Sequence, residues 1–399
     1  MAAIEITYDG SVRVLQVPEA GLVMPLQSRS DSQAEDSGNW QVLGQAIESC
    51  DRLLVVINDA SRPTPTTAVL ERLRSHLESA GQVRVVVATG MHPPPDDAWL
   101  DAALGDVLER RSVHVHDASQ PGHRFDAPGD GAEFMLNPIL DWAERILLIG
   151  SVEPHFFAGF TGGAKQILPG LATRDTIEAN HRHATDLACQ PLRLEGNPVA
   201  AGIRQAALCF ADRLLSVQAT MGPQGWEYFC GTEPDTFERA AARCAERACI
   251  RWPESLDAMV AVVEPPLDQN LYQLQKGFEN HRGVVRDGGC MLLMSACRDG
   301  VGNSFFGPLA DRYPDWRQLP PWEDQMYSLG LHKLYRTAQL RRTVHLDLFS
   351  SLPDREVRRF YLEPVGDPDR WIRMIIDAGK RVGVVRDAAH VVSVLDANE

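Results

Sequence analysis

Three short stretches place ionisable side chains directly after apolar, β-branched runs, where the chain is free to present them to a ligand. The first, Asp59-x-x-Arg62-Pro63-Thr64-Pro65-Thr66, follows Leu53–Ile57. The guanidinium of Arg62 offers a planar fork of donors to a carboxylate or phosphate, with Asp59 holding it or a ligand hydroxyl. The same residues also read as an Asx turn, with Asp59 paired to Arg62 and Thr64 or Thr66 capping a helix. His92 follows Val83–Ala88 and is stiffened by Pro93, Pro94 and Pro95, while His155 follows Ile146–Gly150 between Pro154 and the pair Phe156 and Phe157. Two imidazoles in equivalent positions suit proton transfer on either face of one substrate near neutral pH. Next comes Gly159-Phe160-Thr161-Gly162-Gly163-Ala164-Lys165. The amides of Gly162 and Gly163 suit a single phosphate, and Lys165 suits a nucleophile or covalent anchor. An ordinary nucleoside-triphosphate loop is excluded, because Gln166 stands where a magnesium-binding Ser or Thr belongs and the glycine spacing differs. Farther on, His181 lies in Asn180-His181-Arg182-His183, and Tyr272, Gln273 and Lys276 recur at helical spacing. Gly300-Val301-Gly302 is a weak dinucleotide lookalike, with Phe305 in place of a third glycine.

Residues so placed require strands that end where the chemistry begins. Strands are expected at Leu53–Ile57, Val83–Ala88, Val113–His116, Ile146–Gly150 and Leu214–Val217. Thr66–Ala80 is the clearest helix, its Val69, Leu70, Leu73 and Leu77 forming one apolar face. Alternation of this kind predicts right-handed crossovers and an α/β fold with mostly parallel sheets flanked by helices. After a helix-like stretch over Thr236–Arg251, Trp252-Pro253 breaks the pattern, and strands are expected at Ala258–Val263, Cys290–Met294, Thr343–Leu348 and Val382–Val385. Two domains follow, 1–252 with the catalytic and anchoring loops and 253–399 closing over them, the last residues packing back on the first domain. Ser28–Asn39 and Ser119–Gly131 read as surface loops.

The 399 residues carry 39 basic and 54 acidic side chains, a formal charge of −15. That balance argues against nucleic acid or an anionic membrane as partner, since both require a basic face, and any anionic substrate must meet a few local cations. Charges at Glu5, Asp9 and Arg13 interrupt any apolar leader, and nowhere do about 18 apolar residues run together, as a membrane span requires. The 8 cysteines form no CxxC pair. Reduced thiols in a cytoplasmic protein are therefore expected.

Assembled, these motifs resemble the nickel-dependent lactate racemase family. The matching stretches are Asp59-x-x-Arg62-Pro63-x-Pro65-Thr66, Ala88-Thr89-Gly90-x-His92, Glu153-Pro154-His155-x-x-Ala158-Gly159-x-x-Gly162-Gly163-x-Lys165, Asn180-His181 and Tyr272-Gln273-x-x-Lys276. The resemblance implies a two-domain α/β enzyme with its active site in the interdomain cleft and a nickel-pincer nucleotide bound covalently at Lys165. It implies His181 as the protein ligand to nickel and His92 with His155 as the acid/base pair. Arg62, Gln273 and Lys276 would bind substrate, and Asp59, Gly162, Gly163 and Tyr272 would support the cofactor. Partners would be a small 2-hydroxy acid and the host's cofactor-synthesis proteins. The family usually reads Thr-His-Arg-Pro at the second loop, whereas this chain reads Met91-His92-Pro93-Pro94 and lacks that positive charge. A substrate other than lactate is therefore expected. The family's second-domain aromatic over the cofactor has no secure match in this chain; the place to look is Gly330-Leu331-His332-Lys333, with His332 in that position.

The activity implied is racemisation or epimerisation of a 2-hydroxy acid, or of a sugar acid. Removing a proton beside a carboxylate would build charge on an anion; removal of the α-hydrogen as hydride, with the hydroxyl proton going to His92 or His155, avoids it and gives a planar 2-oxo acid. Two other readings share the residues: an enzyme of phosphate esters or nicotinamide nucleotides using the Gly162-Gly163-Lys165 loop, and a non-catalytic nickel-cofactor binding protein.

Overall fold

A computed structural model describes residues 1–26, 37–129, 131–302, 304–325, 327–328 and 330–396. Most of the expected loop Ser28–Asn39 lies outside these residues; of its end, Ser37–Gly38 is a short strand and the Asn39 side chain accepts from Val42 N to cap the helix Trp40–Glu48. The chain divides into two units, Asp31–Glu246 and a second made of Met1–Ser30 with Arg247–Glu399.

In Asp31–Glu246 the sheet runs Ser37–Gly38, Gly225–Thr232, Leu214–Gly222, Arg145–Ser151, Arg52–Asn58, Gln82–Ala88, Val113–Val115. Every pairing is parallel except that of Leu214–Gly222 with Gly225–Thr232. Helices cover both faces, so the central strands are apolar throughout: Leu53 to Ile57 are all fully buried. Alternation divides them between two cores. Leu54 and Val56 join Leu148, Phe157 and Ile167 on one face, while Leu53, Val55 and Ile57 join Val69, Leu70, Leu73 and Leu77 of the helix Thr66–Ser79 on the other. From Arg52–Asn58 the chain winds outward through Gln82–Ala88 and Val113–Val115, then returns to the opposite side as Arg145–Ser151. This reversal creates a crevice beyond the carboxyl ends of Arg52–Asn58 and Arg145–Ser151, the place where open α/β sheets bind ligands.

The second unit holds a parallel sheet in the order Glu363–Pro364, His345–Phe349, Val285–Met294, Leu256–Val262, Val382–Val385, Leu22–Val23. The division of the chain thus differs from a break between 252 and 253. The hairpin Ala2–Tyr8/Ser11–Val17, turned by Asp9 and Gly10 at φ 56° and 71°, sends Ile6, Leu15 and Val17 into the core of Val260, Val262 and Ile372. Its hydrophobic burial carries the first residues into the C-terminal unit. The last strand, Val392–Leu395, pairs with Cys249–Trp252, within that unit. The expected loop Ser119–Gly131 contains the strand His123–Asp126, paired antiparallel with Glu133–Leu136. Phe125 and Phe134 supply the apolar contacts that hold it. No helix among the described residues is long and apolar enough to cross a membrane.

Candidate active site

The crevice is built from three loops whose bases are tied together. Asn58 Nδ2 donates to Thr64 Oγ1 at 2.7 Å, and Thr64 Oγ1 meets Ser151 Oγ at 3.0 Å, joining the ends of the two switch-point strands. Neither threonine caps the helix Thr66–Ser79; Pro65 precedes it without a side-chain bond. Asp59 does not pair with Arg62 either. Its Oδ2 lies 2.8 Å from His92 Nδ1, and Oδ1 accepts from Ser61 N at 2.8 Å and Ser61 Oγ at 2.5 Å. Burial alone would raise the Asp59 carboxyl, but the hydrogen bond and charge of His92, with the bonds from Ser61, outweigh it and hold it below the ordinary carboxylate range. Both oxygens of this expected cofactor contact are therefore engaged within the protein. Arg62 instead faces Glu153 at 3.6 Å, across from the loop that carries His155.

His155 stands on a small hairpin, Pro154–His155 paired with Gly159–Phe160. Gly159 turns it at φ 82°, and an added Cβ would lie 2.5 Å from the Arg193 carbonyl oxygen. Ala158 N donates to His155 Nδ1 at 3.2 Å. The ring meets Phe157 edge-on at 4.5 Å between centroids, and Phe157 in turn meets His181 at 5.1 Å. Asn197, fully buried, donates to the Phe157 carbonyl oxygen at 2.8 Å while capping the helix Pro198–Leu208. An aromatic wall thus links the two histidines, and a buried amide holds it.

Lys165 lies in the turn Gly163–Gln166, and His181 ends the helix Arg174–His181. Burial, then the charge of Lys165 and a smaller effect of His92, push the His181 imidazole down to about 3, so it stands neutral. Its Nδ1 is buried without a hydrogen-bond partner. Six residues expected at the site, Asp59, Arg62, His92, His155, Lys165 and His181, are therefore connected by hydrogen bonds, an ion pair, ring contacts and electrostatic reach.

The glycines play a different part from a phosphate cradle. Gly163 N donates to Gln218 Oε1 at 2.9 Å, so that amide is already engaged. At Gly162 (φ 84°) a Cβ would meet Gln218 Oε1 at 2.7 Å, and at Gly163 (φ 51°) the Phe237 ring at 2.8 Å. Their smallness lets the lysine loop sit on this floor. Below it, Gln218 Nε2 donates to Ser216 Oγ at 2.9 Å, and Ser216 Oγ donates to Glu233 at 2.5 Å. Ser61, Asn197 and Gln218 escaped sequence reasoning, and Glu153 stood in a matched stretch without a role. The signals for two of them were present: Asn197-Pro198 before an apolar-periodic helix, and Ser216 and Gln218 alternating on one face of an otherwise apolar strand.

Burial, reinforced by Glu238 and Asp235 and opposed by Ser216 and the Phe237 amide, pushes the Glu233 carboxyl from 4.5 up to about 7. Between those values the folded protein binds more protons than the unfolded chain, so this residue's contribution to stability falls as pH rises through the window. Thermal melts at about pH 5 and about pH 8 should show Glu233→Gln losing less stability between them than the parent, by on the order of a few kcal/mol. Equal losses would show that Glu233 does not titrate there.

In the C-terminal unit, Asn270 caps the helix Leu271–Glu279 by accepting from Gln273 N at 3.0 Å. Leu271, Leu274 and Phe278 are buried, whereas Tyr272, Gln273 and Lys276 share the partly exposed side, as their spacing predicts. Lys333 Nζ lies 4.0 Å from the centre of the Tyr272 ring and donates to the Tyr272 carbonyl oxygen at 2.8 Å. The Gly300-Val301-Gly302 stretch is no dinucleotide loop: Leu271 N and Tyr272 N donate to the carbonyl oxygens of Gly300 and Val301, packing it on the helix start. His332, proposed for the covering position, is buried and bonded to Tyr327 OH at 2.9 Å.

Comparison with known proteins adds independent findings. A family model of the lactate racemase N-terminal domain matches residues 36–189, and one of the lactate racemase C-terminal domain matches 258–318, together more than half of the chain. The lactate racemase of Thermoanaerobacterium thermosaccharolyticum is 27% identical over 335 residues, which cover 77% of each chain. That of Lactiplantibacillus plantarum is 26% identical over 343 residues, covering 78% of this chain and 79% of the other. The structure of the lactate racemase apoprotein from T. thermosaccharolyticum superposes with a TM-score of 0.85 at 22% identity, over 98% of this chain and 100% of that one. A crystal structure of a protein from Thermotoga maritima gives 0.62 at 15% identity, over 89% and 97% of the two chains. These structural likenesses bear on the fold.

Proposed function

The chain belongs to the lactate racemase family, and from that premise we propose that it is an isomerase that racemises or epimerises a 2-hydroxy acid with a nickel-pincer nucleotide. The observation that carries this reading is the convergence of Arg62, His92, His155, Lys165 and His181 at one sheet switch point. The donor chemistry fits the group: a neutral, buried imidazole with an orphaned nitrogen suits a borderline metal ion. Among the described residues no cluster of three or more His, Cys, Asp or Glu gathers, and in this reading the organic group would supply the nickel's remaining ligands.

In this reading Lys165 anchors the group covalently and His181 ligates its nickel. Bound, the group supplies an acceptor and donor of hydride for the substrate's α-hydrogen. Arg62 holds the substrate carboxylate, its own charge partly balanced by Glu153. His92 and His155 exchange the hydroxyl proton. From the C-terminal unit we assign Gln273 and Lys276 to substrate and Tyr272 to the cofactor. Gly162 and Gly163 shape the lysine loop over Gln218. Pro93 after His92 supports a substrate other than lactate, since the second loop carries no cation at that position.

The test is direct. Protein produced together with nickel-pincer nucleotide synthesis is incubated with single enantiomers of lactate and of 2-hydroxy acids with larger side chains, and products are resolved by chiral chromatography. Interconversion that depends on nickel, faster for a larger acid than for lactate, is expected. Nickel-loaded protein that leaves every acid unchanged sinks the activity, and a preference for lactate sinks the substrate assignment.

A further inference from the structure

The turn that carries Lys165 rests on a chain of hydrogen bonds that runs to a single carboxyl. Gly163 N donates to Gln218 Oε1 at 2.9 Å, Gln218 Nε2 donates to Ser216 Oγ at 2.9 Å, and Ser216 Oγ donates to Glu233 Oε1 at 2.5 Å. The sense of every link is fixed from the top. A backbone amide only donates, so Gln218 must turn its oxygen to Gly163 and its nitrogen to Ser216; the serine oxygen accepts there, and its own hydrogen is left for Glu233. Gln218 and Ser216 are fully buried, so neither has water as a substitute partner. A second arm leaves the same carboxyl. Glu233 also takes a bond from the Phe237 amide, and the Phe237 ring lies 2.8 Å from where a Gly163 Cβ would stand. That ring meets Phe160 edge-on at 6.4 Å, within the hairpin that bears His155. The other end of the turn is held separately, by Gln166 Nε2 donating to the Ile149 carbonyl oxygen at 2.8 Å.

We propose that Glu233 is a positioning residue for Lys165, acting on the turn Gly163–Gln166 through Ser216 with Gln218 and through Phe237. A carboxylate suits the place because it accepts from the Ser216 hydroxyl and the Phe237 amide at once and donates to neither. The ionisable groups that act on it, Glu238 and Asp235, belong to the helix Asp235–Ala248 and are themselves paired, with Arg204 at 3.6 Å and Arg239 at 3.0 Å. The strand Leu214–Gly222, which carries Ser216 and Gln218, has no ionisable side chain. Gly163 stands two residues before the lysine, so the relay sets the backbone from which the amine is presented. A covalent anchor depends on where its amine is held, and misplacement by about 1 Å can cost on the order of 10²-fold in rate. The role of Glu233 thus rests on the proposed anchoring by Lys165, whereas the relay itself does not depend on it.

The experiment follows amide hydrogen exchange, resolved to single residues by mass spectrometry, in the full-length protein made without cofactor synthesis. Gly163 N–H reports the relay, and His116 N–H, which donates to the Val87 carbonyl oxygen at 3.1 Å, serves as the reference. Ser216→Ala deletes one hydroxyl from the chain, and Glu233→Gln replaces its terminal carboxyl with a near-isosteric amide. Each should speed exchange at Gly163 about fivefold or more while His116 holds its rate. In the double variant the rise should fall short of the product of the two single rises, because both residues act along one chain. Equal acceleration at His116 means general loosening, and an unmoved Gly163 amide or a full product separates Glu233 from the turn; each of these overturns the proposal. Ser216→Ala alone decides the relay where Glu233→Gln does not fold. In protein made with cofactor synthesis at limiting supply, both variants should carry about fivefold less of the nickel-dependent mass adduct than the parent. Adduct at the parent's level, in variants whose Gly163 amide exchanges faster, overturns the positioning role. A parent that gains no adduct removes the nickel-pincer reading instead, while exchange still decides the relay.

Discussion

Lys165→Ala is expected to eliminate the nickel-dependent mass adduct, the retained metal and turnover together. Lys165 occupies a one-turn helix whose glycines pack against Gln218 and Phe237, so the loop is shaped from below. A thermal melt of the variant beside the parent should show a folded protein that has lost its adduct. The loss would therefore be chemical. Intact-mass spectrometry with metal analysis, on protein made with and without cofactor synthesis, reads the adduct without any activity assay. Lys165→Arg separates two contributions: it preserves the positive charge near His181 but offers no primary amine, so the adduct should vanish there as well. An adduct that survives in either variant would place the covalent anchor elsewhere and leave Lys165 an electrostatic role.

The largest effect on stability is expected in the C-terminal unit, at a buried ion pair. Arg336 and Glu279 are 1% and 2% exposed and joined by two hydrogen bonds, Nε to Oε1 at 2.8 Å and Nη2 to Oε2 at 2.6 Å. Burial would raise the Glu279 carboxyl, but Arg336, with Arg282 at 3.5 Å, holds it below its ordinary range. Nearby Lys333 is pushed down to about 7 by burial first and by Lys276 next, with Glu279 opposing. Glu279 thus balances a set of cations in a dry interior. Glu279→Leu would leave the Arg336 guanidinium buried without its carboxylate and should cost about 3 to 5 kcal/mol, whereas Glu279→Leu with Arg336→Met should recover most of that loss. Chemical denaturation of the parent and both variants, followed by a probe in the C-terminal unit, measures it. A single variant as stable as the parent would contradict the assignment of this pair as a buried charge balance.

Much of the N-terminal site was legible because the residues proposed for catalysis follow directly after strands. The apolar runs at Leu53, Val83 and Ile146 mark strands buried on both faces, and the residues just beyond them are the ones the crevice gathers. Long-range pairings were less legible. Nothing in the spacing of Asp59 distinguishes a bond to Arg62 from one to His92, because the sheet order, not local sequence, brings the first and second loops together. The polar floor was hidden for the same reason, as Gln218 meets Gly163 only through the parallel pairing of Arg145–Ser151 with Leu214–Gly222. The hairpin at Asp9-Gly10 carried its own turn signal, but no local feature of Ile6 or Leu15 reveals that their core is supplied by strands far along the chain.

That last arrangement has a consequence for how the molecule comes into being. Synthesis proceeds from the N-terminus, and domains tend to form as they emerge. The strand Leu22–Val23 has its partner in Val382–Val385, and the hairpin before it packs on residues from 258 onward. A strand made before Asp31–Glu246 must therefore wait for one made well after it. Meanwhile Asp31–Glu246 is continuous in sequence, with cores of its own and every histidine and lysine assigned to anchoring and proton transfer. The half with the residues proposed for anchoring and proton transfer is complete on the ribosome before the half with the widely separated strands has all its parts, so the slow, high-contact-order step of maturation belongs to the C-terminal unit.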